Sequence, residues 1–124
     1  MQEAHVLVVD DDPRVLKALV RCLRLIGITS IGALTLDEAR SAIANGGVTA
    51  VLLDCRMQAS RVEDFVGLFE ELAPDLVANL VLMTGATSAP DFELPVVFKP
   101  LGRAEFVQLK AWWGRGEVET THAA

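Results

Sequence analysis

The chain has 124 residues, with 11 Lys and Arg against 17 Asp and Glu, for a net charge of −6. A single domain of this length buries about two-thirds of its unfolded surface, and a hydrophobic content of 52% excludes intrinsic disorder. The acidic balance and the lack of any evident Arg-rich stripe speak against direct nucleic-acid binding. The apolar runs are too short to cross a bilayer, so no membrane insertion is expected, and a cytoplasmic location is the expectation.

Val6 to Val9 is a continuous apolar run, as in strands buried on both faces, and it leads straight into Asp10-Asp11-Asp12. Pro13 suits the first turn of a helix. Val15, Leu16, Leu19, Val20, Cys22, Leu23 and Ile26 then recur at helical spacing, with Lys17, Arg21 and Arg24 on the wet face and Gly27 as the stop. Ile28 to Ala33 is a short second strand. Thr35-Leu36-Asp37-Glu38 has the form of a capping box and opens a helix to about Asn45, ended by Gly46-Gly47. Val48 to Leu53 is a third strand that terminates in Asp54. Ser60-Arg61-Val62-Glu63 matches another capping box, and its helix, with Phe65, Val66, Leu68, Phe69 and Leu72 inward, stops before Pro74. Leu80 to Met83 is a fourth strand ending in Thr84-Gly85. Residues 86–94 read as a loop broken by Pro90. Val96 to Phe98 is a fifth strand ending in Lys99-Pro100, and a last helix begins at Gly102 or Arg103 and carries Trp112-Trp113. The core is expected over about 5–113, with a tail from Gly114 to Ala124 that frays. Cys22 and Cys55 read as small core residues, not as a disulfide or metal pair.

This alternation predicts one α/β domain over residues 1–124: a doubly wound, five-stranded parallel sheet with helices on both faces. Four of its strands end in polar groups, namely Asp10-Asp11, Asp54, Thr84 and Lys99. In a parallel sheet those ends share one edge, and ligands of open α/β sheets bind there. The acids after the first strand admit two readings: caps of the following helix, or crowded carboxylates that a hard divalent cation offsets. Asp10, Asp11 and Asp54 would together hold a magnesium ion, completed by a backbone carbonyl and waters. Lys99 would bring positive charge, and Thr84 a hydroxyl donor, to an anion drawn there. No phosphate-binding glycine motif of a nucleotide site is present. The set suits a phosphoryl group small enough to sit on one carboxylate, with Asp54 as nucleophile. Asp12 reads as the helix cap.

These residues resemble the receiver domains of two-component response regulators and hybrid histidine kinases. Val8-Val9-Asp10-Asp11-Asp12-Pro13, Leu52-Leu53-Asp54, Met83-Thr84-Gly85 and Phe98-Lys99-Pro100 carry the resemblance, over about His5 to Trp113. It implies a flavodoxin-like (CheY-like) fold and a phosphoryl group passed from a kinase phosphohistidine, or a phosphotransfer domain, to Asp54. It further implies magnesium on Asp10, Asp11, Asp54 and the carbonyl of Arg56, phosphoryl contacts from Thr84 and Lys99, and a cis peptide before Pro100. The chemistry so implied is self-phosphorylation and slow self-dephosphorylation, without turnover of a free substrate.

Three features depart from that pattern. The segment from Thr84 to Lys99 is short, so the family's fourth helix is expected to be short or missing. Val96 stands where the family usually has an aromatic switch residue, and the chain has no tyrosine. Met57-Gln58-Ala59-Ser60 replaces the usual Met-Pro-Gly turn, with Arg56 placed to project over the site. Two other readings compete with phosphoacceptance: a degenerate pseudo-receiver acting as a docking or autoinhibitory module, and a small magnesium-dependent phosphohydrolase. The residues do not specify the oligomeric state.

Overall fold

The computed structural model describes residues 5–85 and 93–123, with side chains as far as Trp113. Its elements are β1 (His5–Val9), α1 (Pro13–Leu25), β2 (Thr29–Ala33), α2 (Leu36–Ala44), β3 (Ala50–Asp54), α3 (Val62–Leu72), β4 (Leu80–Thr84), β5 (Val96–Phe98) and α4 (Arg103–Ala123). The strands form one sheet in the order β2-β1-β3-β4-β5, parallel at every pair. This is the expected flavodoxin-like, doubly wound sheet. The winding direction reverses between β1 and β3, which opens a crevice at their carboxyl ends. The short or missing fourth helix expected between β4 and β5 falls largely on residues 86–92, outside the described residues.

Side chains of a strand alternate between faces, so each strand feeds two cores. Leu7, Val9, Val51, Leu53, Leu80 and Leu82 pack under α2 and α3, where Phe65 and Phe69 are fully buried with ring centroids 6.4 Å apart. Val6, Val8, Leu52, Val81 and Met83 pack under α1 and α4, against Leu23, Phe106 and Trp113. Truncating Phe65 or Phe69 to alanine would cost about 3–5 kcal/mol in lost burial and cavity formation. Trp113 is buried and Trp112 half-buried. Both cysteines are free and half-buried.

Local signals set most helix ends. α1 stops in a Schellman motif: the Gly27 amide donates to the Arg24 carbonyl (3.0 Å) and the Ile28 amide to the Leu23 carbonyl (2.9 Å). Gly27 supplies the φ of +85° that this closure requires. Thr35 Oγ1 accepts from the Glu38 amide at 3.1 Å, as its capping box implies. The second capping signal is displaced by one residue. α3 begins at Val62, and the Arg61 amide donates to Asp64 Oδ2 at 2.8 Å. A 3-10 turn, Pro74–Asn79, lies between α3 and β4, because Pro74 ends the helix while Leu76 still finds a place in the core. At the other end of the chain the residues expected to fray continue α4 to Ala123. Extending an existing helix requires no new nucleus.

Candidate phosphoacceptor and metal site

β1 and β3 lie side by side, with Val6 opposite Ala50 and Val9 opposite Leu53. This register brings Asp10 next to Asp54 at the sheet edge. Both follow the alternation of the residues facing α1 and α4, so their carboxylates point to the same side. Asp10 is 1% exposed and Asp54 5%. β4 adds Thr84 as its last residue, also buried, and the Lys99 amide donates to the Thr84 carbonyl at 2.7 Å. Lys99 follows β5 directly, and the Lys99–Pro100 peptide is cis, as the resemblance implied.

The four strand ends therefore converge. Lys99 Nζ donates to Asp10 Oδ2 at 2.8 Å and stands 3.4 Å from Asp54 Oδ2. Carboxylate oxygens of Asp10, Asp11 and Asp54 lie within 4.8 Å of one another. Backbone amides fix each acid. The Asp12 amide donates to Asp10 Oδ1 at 2.9 Å, and the Arg56 amide to Asp54 Oδ1 at 3.1 Å. Asp12 itself takes the capping role: its Oδ1 accepts from the Arg14 amide at 3.0 Å.

Sequence reasoning missed one contributor. The Gln58 amide donates to Asp11 Oδ2 at 2.9 Å, tying the loop after β3 to the acid pair. A backbone donor leaves no side-chain signature, and only the odd composition of Met57 to Ser60 hinted at this loop. The Arg56 side chain is exposed, so its inward contribution is the amide. Val96 is half-buried against the core under α2 and α3, the face to which Leu80 and Leu82 also belong.

Burial pushes the Asp54 carboxyl above its ordinary value of 3.8, and the neighbouring Asp10 charge pushes the same way. The Arg56 amide and the Lys99 ammonium pull it down without cancelling that rise. Burial also acts to lower the pKa of Lys99. Its hydrogen bond to Asp10 and the charges of Asp54 and Asp10 outweigh this and hold the ammonium above its ordinary 10.5. Three acids thus face one cation. Each carboxylate oxygen keeps a lone pair beyond its hydrogen bond, and an all-oxygen donor set of this charge fits a hard divalent ion. A nucleophilic carboxylate with an ammonium 3.4 Å away can also accept a group whose oxygens carry negative charge.

No family model matches the chain, and no curated protein matches its sequence. Solved structures do match. A CheY-like response regulator receiver domain protein from Methanospirillum hungatei aligns with a TM-score of 0.78 at 21% identity, covering 95% of this chain and 99% of its own. The response regulator TrrA of Thermotoga maritima, crystallised in complex with Mg2+-BeF, aligns with a TM-score of 0.74 at 21% identity, covering 88% and 98%. The N-terminal domain of a three-domain response regulator protein from Carboxydothermus hydrogenoformans reaches 0.78 at 17% identity, covering 94% and 98%. The fold is that of CheY-like receiver domains.

Proposed function

We propose that this chain is a phosphoacceptor receiver domain of two-component or phosphorelay signalling, and that Asp54 is the residue phosphorylated. The observation that carries this reading is the cluster itself: Asp54 at the end of β3, Lys99 Nζ at 3.4 Å, and the Asp10-Asp11 pair within 4.8 Å. Likeness in fold to receiver domains, one of them crystallised with Mg2+-BeF, supports it. The donor is a phosphohistidine of a histidine kinase or phosphotransfer domain.

In the transfer, the P–N bond to a donor imidazole protonated on its other ring nitrogen breaks as a P–O bond forms to the Asp54 carboxylate, giving an acyl phosphate and a neutral imidazole. The Arg56 amide holds Asp54 in place, and Lys99 faces the developing charge on the phosphoryl oxygens. Thr84 donates its hydroxyl to the product phosphoryl group. Magnesium, held by Asp10, Asp11, Asp54 and the Arg56 carbonyl, would supply the charge neutralisation that three acids and one ammonium lack. The product adds close to two negative charges at the sheet edge. Val96 replaces the aromatic residue that commonly moves with the threonine, so the response of this domain runs through the Thr84 loop without an aromatic partner.

Incubation with acetyl phosphate and magnesium, followed by intact-mass measurement, tests the reading. The wild type gains one phosphoryl group and Asp54→Asn gains none. No phosphorylated species in the wild type, from acetyl phosphate or from a phosphorylated kinase, leaves the pseudo-receiver reading. Rapid multiple turnover of acetyl phosphate indicates a phosphohydrolase instead.

A further inference from the structure

The three carboxylates of the site are not held alike. Asp10 and Asp54 are buried, each accepts the amide two residues further along the chain, and each faces Lys99. Asp11 is half-exposed. It has no ion pair among the described residues, whose salt bridges are those of Lys99 with Asp10 and Asp54. Its tether comes from another loop: the Gln58 amide, 47 positions away, donates to Asp11 Oδ2 at 2.9 Å. Water competes for a half-exposed carboxylate, and an Asp side chain left to it samples several rotamers. The Gln58 bond therefore decides whether the third acid stays with the other two.

The donor loop is itself anchored. It runs from Cys55 to Arg61 without helix or strand. The Cys55 amide donates to the Met83 carbonyl at 2.9 Å, and Met57 is half-buried against the core under α2 and α3. The Arg56 amide reaches Asp54, and the Gln58 amide, two residues on, reaches Asp11. Alternate amides of one loop thus bind acids from two strand ends. The Gln58 side chain is exposed, so the residue acts here through its backbone. Proline, which stands in the Met-Pro-Gly turn that Met57-Gln58-Ala59-Ser60 replaces, has no N–H to give.

We propose that the Gln58 backbone amide is a positioning group for the metal site, holding Asp11 where a small divalent cation needs it. This role rests on the reading of Asp10, Asp11 and Asp54 as magnesium ligands. Groups that orient a metal ligand commonly set the affinity by about 10- to 100-fold. The bond occupies one lone pair of Oδ2 and leaves the rest of the carboxylate to an ion. It also bears on which ion is preferred. Magnesium demands a near-octahedral set of oxygens, whereas calcium accepts a looser one. A fixed Asp11 favours the smaller ion, and a freed Asp11 penalises the smaller ion more. The coupling is reciprocal: an ion that steadies Asp11 also steadies the acceptor of the Gln58 amide, and with it the loop.

Magnesium and calcium, titrated separately into the intact chain by calorimetry, test this. Gln58→Pro removes the amide and is expected to weaken magnesium about tenfold or more and calcium less, so that the preference for magnesium shrinks. Gln58→Ala, the conservative variant, keeps the amide and is expected to keep the wild-type preference. A variant that merely loosened the fold would weaken both ions alike. Hydrogen exchange in the wild type gives a second reading that needs no substitution at position 58, and it decides alone if Gln58→Pro fails to fold. The Gln58 amide should be protected in the metal-free protein, more so with magnesium, and should lose that protection in Asp11→Ala. Unchanged magnesium binding in Gln58→Pro, an equal loss for both ions, a loss in Gln58→Ala as large as in Gln58→Pro, or an unprotected Gln58 amide would each overturn the proposal. No magnesium binding by the wild type would overturn it together with the metal-dependent reading of the site, whereas wild-type binding that Gln58→Pro leaves intact sinks this proposal alone.

Discussion

The two ends of the sheet are built on different principles. At the carboxyl end, three acids and one ammonium are packed together in partial burial, and burial together with the Asp10 charge pushes Asp54 away from its charged form. At the amino end, neutral groups satisfy one another. The His5 amide donates to Thr49 Oγ1 (3.2 Å) and the Thr49 amide to the His5 carbonyl (2.9 Å). Asn79 Nδ2 donates to the Thr49 carbonyl (3.0 Å), and Trp113 Nε1 to the Asn79 carbonyl (3.2 Å). That chain of contacts ties β1, β3, β4 and α4 together without a buried charge. Neutral bonds hold the frame cheaply, and the charged end keeps an unsatisfied balance that an incoming cation or phosphoryl group can use.

Substitutions at the two ends should therefore separate chemistry from stability. The largest effect is expected at Asp54: Asp54→Asn abolishes phosphorylation by acetyl phosphate in an intact-mass assay, with the fold intact by circular dichroism. Lys99→Ala comes next. It should slow phosphorylation by about 10²-fold or more and leave the buried Asp10 carboxylate without its ammonium. Because Lys99 is itself a quarter exposed, we expect a loss of about 2 kcal/mol on urea unfolding, less than for a fully buried pair. Magnesium should raise the melting temperature of the wild type, and Asp11→Asn should blunt that rise. Unchanged melting with magnesium in the wild type would show that the acids hold no metal.

At the neutral end the expectation is reversed. Trp113→Phe removes the indole donor to Asn79 and part of a buried ring, and should cost about 1–3 kcal/mol while phosphorylation proceeds at the wild-type rate. The smallest effect concerns pH. The folded-state value of Asp54 lies above its ordinary value, so the folded chain binds more protons in that window than the unfolded one. Metal-free stability should fall as pH rises from 3.8 through the raised value, and this component should vanish in Asp54→Asn. The raised value of Lys99 works in the alkaline range: its contribution is whole below 10.5 and is lost as pH rises through the folded-state value. Urea unfolding of both proteins across the pH range reads these slopes.

Much of this contrast is legible in the sequence. Val6 to Val9, Val48 to Leu53 and Leu80 to Met83 announce buried strands by their apolarity, and Asp10, Asp54 and Thr84 directly follow these runs. Helix ends were legible where a side chain or a glycine carries the signal, as at Thr35 and Gly27. They were misplaced by one residue at Arg61–Asp64, where two capping patterns overlap and the geometry chooses between them. The 3-10 turn at Pro74–Asn79 follows a proline that signals a stop but not what comes after.

Local pattern thus determined the strands, most helix ends and the polar residues at the strand ends, because periodicity and capping are properties of neighbours in the chain. Tertiary structure alone decided that Asp10 and Asp54 share a face, that Lys99 spans 2.8 Å to one and 3.4 Å to the other, and that the Gln58 amide holds Asp11. Such facts depend on strand order and register, which bring together residues as far apart in the chain as Asp10 and Lys99.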